Sequence, residues 1–170
     1  VRALKTKNSE QTINCILNIL ENGPIKSTFI ENEMINFVDI KANSSIINDK
    51  SFYKFKSLNN ITIPKSVKEI GESAFEGCSF LTSIELPSIK EICNSTFSGC
   101  SKLNKVFDKM TNPDILESIS DYSFYECESF DIVNLPLNVE SIGKYSFANC
   151  NNLIKVVLNE SLTNIGDYSF

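Results

Sequence analysis

Cysteine is the most reactive residue type in this chain, which contains six cysteines and no histidine. Six cysteines can form disulfides or bind a metal ion. Here, however, four of them recur at one position of a repeated pattern, where Asn32 and Phe55 stand in earlier copies. A position that accepts phenylalanine is a packing position, so we expect free thiols that act as small apolar groups rather than disulfides. The four cysteines at this position are Cys78, Cys100, Cys127 and Cys150.

Other kinds of catalytic chemistry find little support among the polar residues. The lack of histidine removes imidazole bases, Ser–His and Cys–His pairs, and metal sites that need imidazole. Acidic residues stand at solvent positions of the repeat, and none lies beside a nucleophile or in a glycine-rich phosphate loop. These acidic residues are Glu72, Glu76, Glu91 and Asp167. The sequence therefore predicts no catalytic residue, no metal site and no cofactor.

Composition limits the classes of partner. The chain has 170 residues, of which 42% are hydrophobic, enough for a packed core. Its net charge is −5, so the chain as a whole lacks the basic surface that nucleic acid or anionic lipid requires. No apolar run reaches the roughly 18 residues that a membrane span needs.

A repeat of about 23 residues positions these side chains. Its anchors are phenylalanines spaced by 23, 23, 22, 27, 23 and 23 residues. After each anchor, a Leu-x-x-Ile-x-Ile pattern ends in the alternation of a strand with one buried face, and in three units proline then stops the strand. A second short extended piece, Val-x-x-Ile-Gly, follows, and we expect its glycine to permit the next turn. Ser/Ala-Phe-x-x-Cys should form a tight helical or 3₁₀ corner that drives phenylalanine inward. The anchors are Phe29, Phe52, Phe75, Phe97, Phe124, Phe147 and Phe170.

One such unit cannot bury its apolar face alone, so neighbouring units must stack, at roughly 4.8 Å per strand. The fold predicted for residues 29–170 is a parallel β-solenoid of six units of the leucine-rich-repeat type, with short helical or 3₁₀ corners. Because the chain stops on an anchor, Phe170, in the middle of a unit, we expect the array to continue beyond it.

The repeats resemble a known family. Residues 63–87 (IPKSVKEIGESAFEGCSFLTSIELP) and 135–158 (LPLNVESIGKYSFANCNNLIKVVL) are similar to BspA-type leucine-rich repeats, and the resemblance covers about residues 29–170. It implies a leucine-rich-repeat fold with its strands on one face. It also implies protein recognition, including adhesion to host or matrix proteins by surface-exposed members. The unit from Phe97 to Phe124 departs from the pattern, because Cys93 precedes it in a glycine position and four extra residues occur near Lys109 to Asp114.

Residues 1–28 do not fit the repeat. Ile13, Ile16, Leu17 and Leu20 follow helical spacing, and the run from Asn22 to Pro24 is a stop signal. We expect an amphipathic helix from about Ser9 to Glu21 that caps the open edge of the first repeat. The alternative is a helix that binds a partner.

The outward side chains of the predicted strands are the candidate binding residues. An apolar group is expected in solvent toward the C-terminal half, within a rim of charged and amide side chains. The group is Phe107, Ile132, Ile154 and Val157, and the rim is Lys105, Lys155, Asp131 and Asn134. Strand propensity alone could also explain these apolar residues, and further units could cover some of them.

The extra residues Lys109–Asp114 are a second candidate. We expect this insertion to loop out at one edge, since the strand should end early at Asp108. Insertions in solenoids usually lie in loops on one face, so the segment is either a neutral insertion or a docking loop.

The predicted function is a non-enzymatic protein–protein interaction module that presents a concave sheet to a partner, with adhesion as its role at a cell surface. The alternative is an intracellular scaffold, such as a cytoskeletal component, that makes lateral contacts with neighbouring subunits. Free thiols favour a reducing cytoplasm, whereas a signal peptide upstream would place the protein at the cell surface.

Overall fold

The backbone coils so that each repeat forms one turn with two short strands and a corner. The structure is a computed structural model that describes residues 2–7, 13–19, 23, 34–41 and 43–170. In chain order its strands are β1 (Arg2–Lys7), β2 (Ile13–Ile19), β3 (Ile35–Ile40), β4 (Ile46–Ile47), β5 (Asn60–Thr62), β6 (Glu69–Ile70), β7 (Glu91–Ile92), β8 (Ser118–Ile119), β9 (Ile132–Asn134), β10 (Ser141–Ile142), β11 (Lys155–Val157) and β12 (Asn164–Ile165). Two 3₁₀ helices, Phe107–Lys109 and Pro113–Ile115, lie between β7 and β8. The predicted parallel β-solenoid is confirmed.

The strands form two ladders along the solenoid. Ladder one contains β3, β5, a bridge between Ser83 and Lys105, and the pair β9 and β11. Ladder two contains the pair β4 and β6, followed by β7, β8, β10 and β12. All pairings between turns are parallel. We number the turns one to six by these strands, with Ser83 in the third turn and Lys105 in the fourth.

The N-terminal segment corrects one expectation. Residues 13–19, predicted as part of a capping helix from Ser9 to Glu21, form strand β2 instead. This strand pairs antiparallel with β1 and parallel with β3, and the Lys41 amide donates to the Ile19 carbonyl at 3.0 Å. The first turn has an open edge of backbone donors and acceptors that only a strand can satisfy, and this need outweighs the helical spacing. The other residues of the predicted helix lie outside the described ones.

The boundary between a cap at residues 1–28 and an array at 29–170 stays a prediction. What the described residues add is that Leu17 and Ile19 of β2 are buried in the same core as the repeats. Sheet pairing and core are thus continuous from β2 into the first turn.

A column of stacked phenylalanines runs through the core at the corners. Successive anchor rings from Phe52 to Phe170 stack with centroids 5.1–5.5 Å apart and interplanar angles of 7–16°. Each corner also bonds to the next, as where the Phe75 amide donates to the Thr96 carbonyl at 2.9 Å. The expectation that phenylalanine is driven inward is confirmed, and the rings hold the turns in register.

The corners are tight, as expected, but consist of hydrogen-bonded turns rather than helices. Residues on both sides of each phenylalanine have left-handed backbone, for example Ser73 (φ 53°) and Gly77 (φ 75°) around Phe75. A helix needs consecutive right-handed residues, so these positions limit each corner to isolated turns. The Cys78 amide, for instance, donates to the Phe75 carbonyl at 3.1 Å.

The glycine that follows three of the ladder-two strands has a different role from the one expected. Gly71 and Gly143 do not have left-handed backbone. A side chain on Gly143 would instead place its Cβ 2.4 Å from the backbone nitrogen of Asp121 in the preceding turn. Glycine is therefore used here because two turns approach closely, not because the turn needs an unusual φ.

The insertion is folded into the solenoid rather than looped out, which corrects a second expectation. Regular pairing in the fourth turn ends at Lys105, and two 3₁₀ helices take up the extra residues. Met110 is buried between them, and the Thr111 amide donates to the Leu86 carbonyl at 2.9 Å. An apolar side chain within the insertion thus anchors it to the core.

Candidate functional site

The outward residues of ladder one form a regular surface. In β5, Asn60 and Thr62 are exposed while Ile61 is buried, and β9 repeats the pattern with Ile132 and Asn134 around Val133. This is the period of two expected for a sheet with one buried face. Each turn therefore presents its non-repeating side chains on one face, which we call the ladder-one face.

Three branched aliphatic side chains are exposed on the fifth and sixth turns of this face. The exposed fractions are 44% for Ile132, 83% for Ile154 and 41% for Val157. The register of the adjacent strands β9 and β11 places Lys155 beside Ile132 and Asn134 beside Val157, and Ile154 directly precedes β11. We call Ile132, Ile154 and Val157 the aliphatic patch.

The predicted rim surrounds the patch. The Asp131 carboxylate accepts a hydrogen bond from the Ile132 amide at 2.7 Å. The Asp131 carbonyl accepts another from the Ile154 amide, on the next turn, at 2.9 Å. Lys155 and Asn134 are exposed in the same two strands, and Lys105 is exposed one turn earlier. The structure therefore brings seven of the eight candidate residues onto one exposed surface.

Phe107 is the exception, and its predicted exposure is wrong. Only 9% of this residue is accessible, and its ring meets Phe124 edge-to-face with centroids 5.6 Å apart. The cause is local, because Phe107 begins a 3₁₀ helix and so leaves the alternation of the strand. Asp108 cannot fill the core position at which other turns carry Ile or Leu, and Phe107 turns inward to cover it.

A column of tyrosines is an exposed feature that the sequence reasoning missed. Tyr122, Tyr145 and Tyr168 stack at 5.0 and 5.1 Å on the corners that follow ladder two. They have left-handed backbone, with φ of 56°, 54° and 57°. The recurring Tyr-Ser-Phe in the last three turns is the signal that could have revealed them. Because their ring faces cover one another, they offer mainly edges and hydroxyl groups, and stacking accounts for the column.

The repeated cysteines occupy the packing position that was predicted. Each thiol donates to the carbonyl of the anchor phenylalanine one turn earlier, as where Cys100 bonds to Phe75 at 3.1 Å and Cys127 to Phe97 at 3.2 Å. Cys78 and Cys150 do the same to Phe52 and Phe124. All four are free thiols in the structure, as is Cys93.

Burial makes these thiols poor nucleophiles. It raises the pKa of Cys78 to about 12, and it holds the pKa of Cys100 and Cys127 well above the ordinary thiol range. Cys93 is less buried, yet burial together with the carboxylates of Glu91 and Glu69 raises its pKa to about 11. Thiolates are the reactive form, so the environment of these cysteines suits packing rather than catalysis.

The described residues contain neither a candidate metal site nor a candidate membrane span. No group of three or more cysteine or carboxylate side chains lies close enough together to hold a metal ion. Within the same ranges, no helix is long and apolar enough to cross a membrane.

Two parallel ladders joined by phenylalanine corners define a leucine-rich-repeat solenoid. The family model for the BspA type leucine rich repeat region matches six copies over residues 25–107 and 104–170. The chain therefore belongs to the BspA-type leucine-rich repeat family, whose repeats form a non-enzymatic fold for protein interaction. No curated protein matches the chain significantly.

Solved structures of bacterial proteins share the fold. A leucine-rich repeat protein of T. pallidum is 22% identical over 97% of this chain and 82% of its own, with a TM-score of 0.76. One from Bacteroides ovatus is 24% identical over 98% of this chain and 54% of its own, with a TM-score of 0.64. One from Eubacterium ventriosum is 27% identical over 88% of this chain and 42% of its own, with a TM-score of 0.68. The chain thus spans about half the length or less of the last two.

Proposed function

We propose that this chain is a non-enzymatic module that binds a protein partner across the ladder-one face, with the aliphatic patch as the centre of contact. The observation that carries the proposal is the change of chemistry along one face. At the repeat position of Asn60 and Ser83 the fifth turn presents Ile132, and at the position of Thr62 the sixth turn presents Val157. Exposed apolar groups within a polar rim are typical of contact sites.

The rim supports the same proposal. Interfaces gain most of their affinity from a desolvated centre, while charged groups around it guide orientation and association. Lys105, Lys155 and Asp131 supply charges of both signs around the patch. These groups fit a protein partner whose surface has a small apolar protrusion surrounded by charges of both signs.

The alternative of lateral packing in a scaffold would use ladder two, whose described outward residues are mostly polar. Glu69, Glu91 and Asn164 are exposed there, whereas apolar exposure is limited to Ile46, which is half-buried, and Ile165 in the last strand. Binding through ladder one serves adhesion when a protein is displayed on a cell surface, and the proposal includes that role.

The test is capture of a partner by the full-length protein, followed by measurement of affinity with the purified partner. The double variant Ile132→Ser with Ile154→Ser removes the centre of the patch. We expect it to bind at least tenfold more weakly, a loss of about 1.4 kcal/mol, with little change in thermal stability because both side chains are exposed.

A matched control removes exposed apolar groups elsewhere. Phe80→Ser with Leu137→Ser changes two exposed side chains outside the patch, and we expect it to keep wild-type affinity. If this control loses as much affinity as the patch variant, or if the patch variant keeps full affinity, the proposed site is wrong. Phe107 is unsuitable as a probe because its ring belongs to the core.

A further inference from the structure

Both ladders are interrupted between the second and third turns. Ladder-one pairing ends at β5, and ladder two separates β6 from β7. The corners remain joined across this seam, since the Ser73 amide donates to the Asn94 carbonyl at 3.0 Å. The third turn is the short one, with 22 residues between Phe75 and Phe97. The stack of corners thus stays regular while the strands on either side of the seam do not pair in this part of the described chain.

The insertion of the fourth turn borders the same region. Lys109 and Thr111 face β5 across the third turn, and together they line an open groove of about 370 Å³ on the ladder-one face. Ser83 and Glu85 lie between these two borders. This volume is at the lower end of the range for ligand sites, about 300–1,000 Å³. The short third turn and the long fourth turn, the two irregular units of the array, therefore combine to shape one groove.

The groove carries hydrogen-bonding groups suited to an extended peptide. Asn60, Thr62 and Ser83 offer side-chain donors and acceptors along it. Strand β5 pairs with β3, and its edge toward the third turn has no strand partner among the described residues. A peptide backbone presents alternating donors and acceptors, and it matches such a surface better than an apolar ligand does.

Charge distinguishes this groove from the rest of the protein. Lys65, Lys105 and Lys109 lie in or beside it, against two acidic residues, Glu85 and Asp108. None of the five forms an ion pair with another described residue. The chain as a whole has net charge −5. Lysines outnumber carboxylates by one among these five residues, and Lys65 and Lys109 line the groove itself, so its two lysine-bearing borders attract acidic side chains.

We propose that this groove binds a short extended segment of a protein partner that carries acidic side chains. Its carboxylates pair with Lys65 and Lys109, and its backbone bonds to the polar groups between them. The inference rests on the proposed function, since it adds a second contact to the same face. It is separable from the aliphatic patch, because the groove lies on the second to fourth turns and the patch on the fifth and sixth.

The probe is a fluorescein-labelled decapeptide of alternating Glu and Thr, with a decapeptide of alternating Lys and Thr for comparison. Fluorescence anisotropy with the whole chain should show binding of the acidic peptide only, weakened by added salt. The double variant Lys65→Glu with Lys109→Glu should bind the acidic peptide at least tenfold more weakly. The control Lys102→Glu with Lys144→Glu makes the same change in net charge away from the groove, and it should bind within about twofold of wild type.

Two results would overturn the inference. Equal losses in the groove variant and in the control would mean that net charge alone attracts the peptide. The second result is that a sulfated oligosaccharide binds more tightly than the acidic peptide and that the groove variant loses this binding. The groove would then be assigned to a glycan. If the groove variant loses binding of the acidic peptide but still captures the protein partner as well as wild type does, the groove is a contact separate from the aliphatic patch.

Discussion

Replacing Phe124 with alanine is expected to lower the free energy of unfolding by about 3–5 kcal/mol, the usual cost of emptying a large aromatic site. Its ring stacks on Phe97 at 5.4 Å and Phe147 at 5.1 Å, and it meets Phe107 and Phe130 edge-to-face at 5.6 Å. The substitution therefore breaks the phenylalanine column at the point where most rings converge. Urea unfolding followed by circular dichroism measures the loss.

Phe80 is the matched control for this substitution. It is also a phenylalanine, but 51% of it is exposed, and the Lys102 ammonium group lies 3.6 Å from the centroid of its ring. Phe80→Ala should change the free energy of unfolding by no more than about 1 kcal/mol. If both alanine variants lose the same stability, the column is not what holds the turns together.

Stability should fall steeply above pH 9 because of the buried thiols. A thiol with pKa 9.0 when unfolded and about 12 when folded, as for Cys78, must be deprotonated at a cost in the folded state. The thiol's contribution to the free energy of unfolding is complete below pH 9, and it declines as the pH rises from 9 toward the pKa of the folded state. Each such thiol removes between about 1 and 2 kcal/mol of unfolding free energy between pH 8 and pH 10.

The variant Cys100→Ala with Cys127→Ala isolates this effect. Burial raises both pKa values well above the ordinary range, so removing the two thiols should reduce the loss between pH 8 and pH 10 by about 3 kcal/mol. Urea unfolding of wild type and variant at pH 8, 9 and 10 provides the comparison. Parallel pH profiles would show that these thiols ionise as freely in the folded protein as in the unfolded one.

The regular part of the fold could be predicted because each repeat position has one physical role. Phenylalanine at every anchor predicts a buried column, and four cysteines at a position that Phe55 also occupies predict a packing site. The repetition of each residue type makes such inferences far stronger than any single residue could. The alternation around Ile61 and Val133 likewise predicted which side chains of ladder one face outward.

The expectations failed where a residue had no counterpart in other turns. The apolar spacing around Ile16 and Leu17 suits either a helix or a strand, and the open edge of β3 decided between them. Phe107 and Met110 lie in the irregular fourth turn, where 3₁₀ helices replace the strand and direct both side chains inward. Alternation cannot be extrapolated through such a segment.

The exposure of most candidate binding residues could be predicted because they lie on or next to regular strands. Ile132, Ile154 and Val157 keep the outward positions that their spacing implied. The groove could not be predicted in the same way. It depends on unpaired strands at the seam and on the path of the insertion, and neither follows from the type of a single residue.

Site-specific photo-crosslinking tests the central claim, binding through the ladder-one face, most directly. A benzoylphenylalanine replaces Ile132 in the patch or, as a control, Glu91 on ladder two, and the full-length protein is irradiated with its partner. We predict a covalent adduct from position 132 that disappears with Ile154→Ser, and none from position 91. An adduct from position 91 without one from position 132 would contradict the account and assign binding to ladder two.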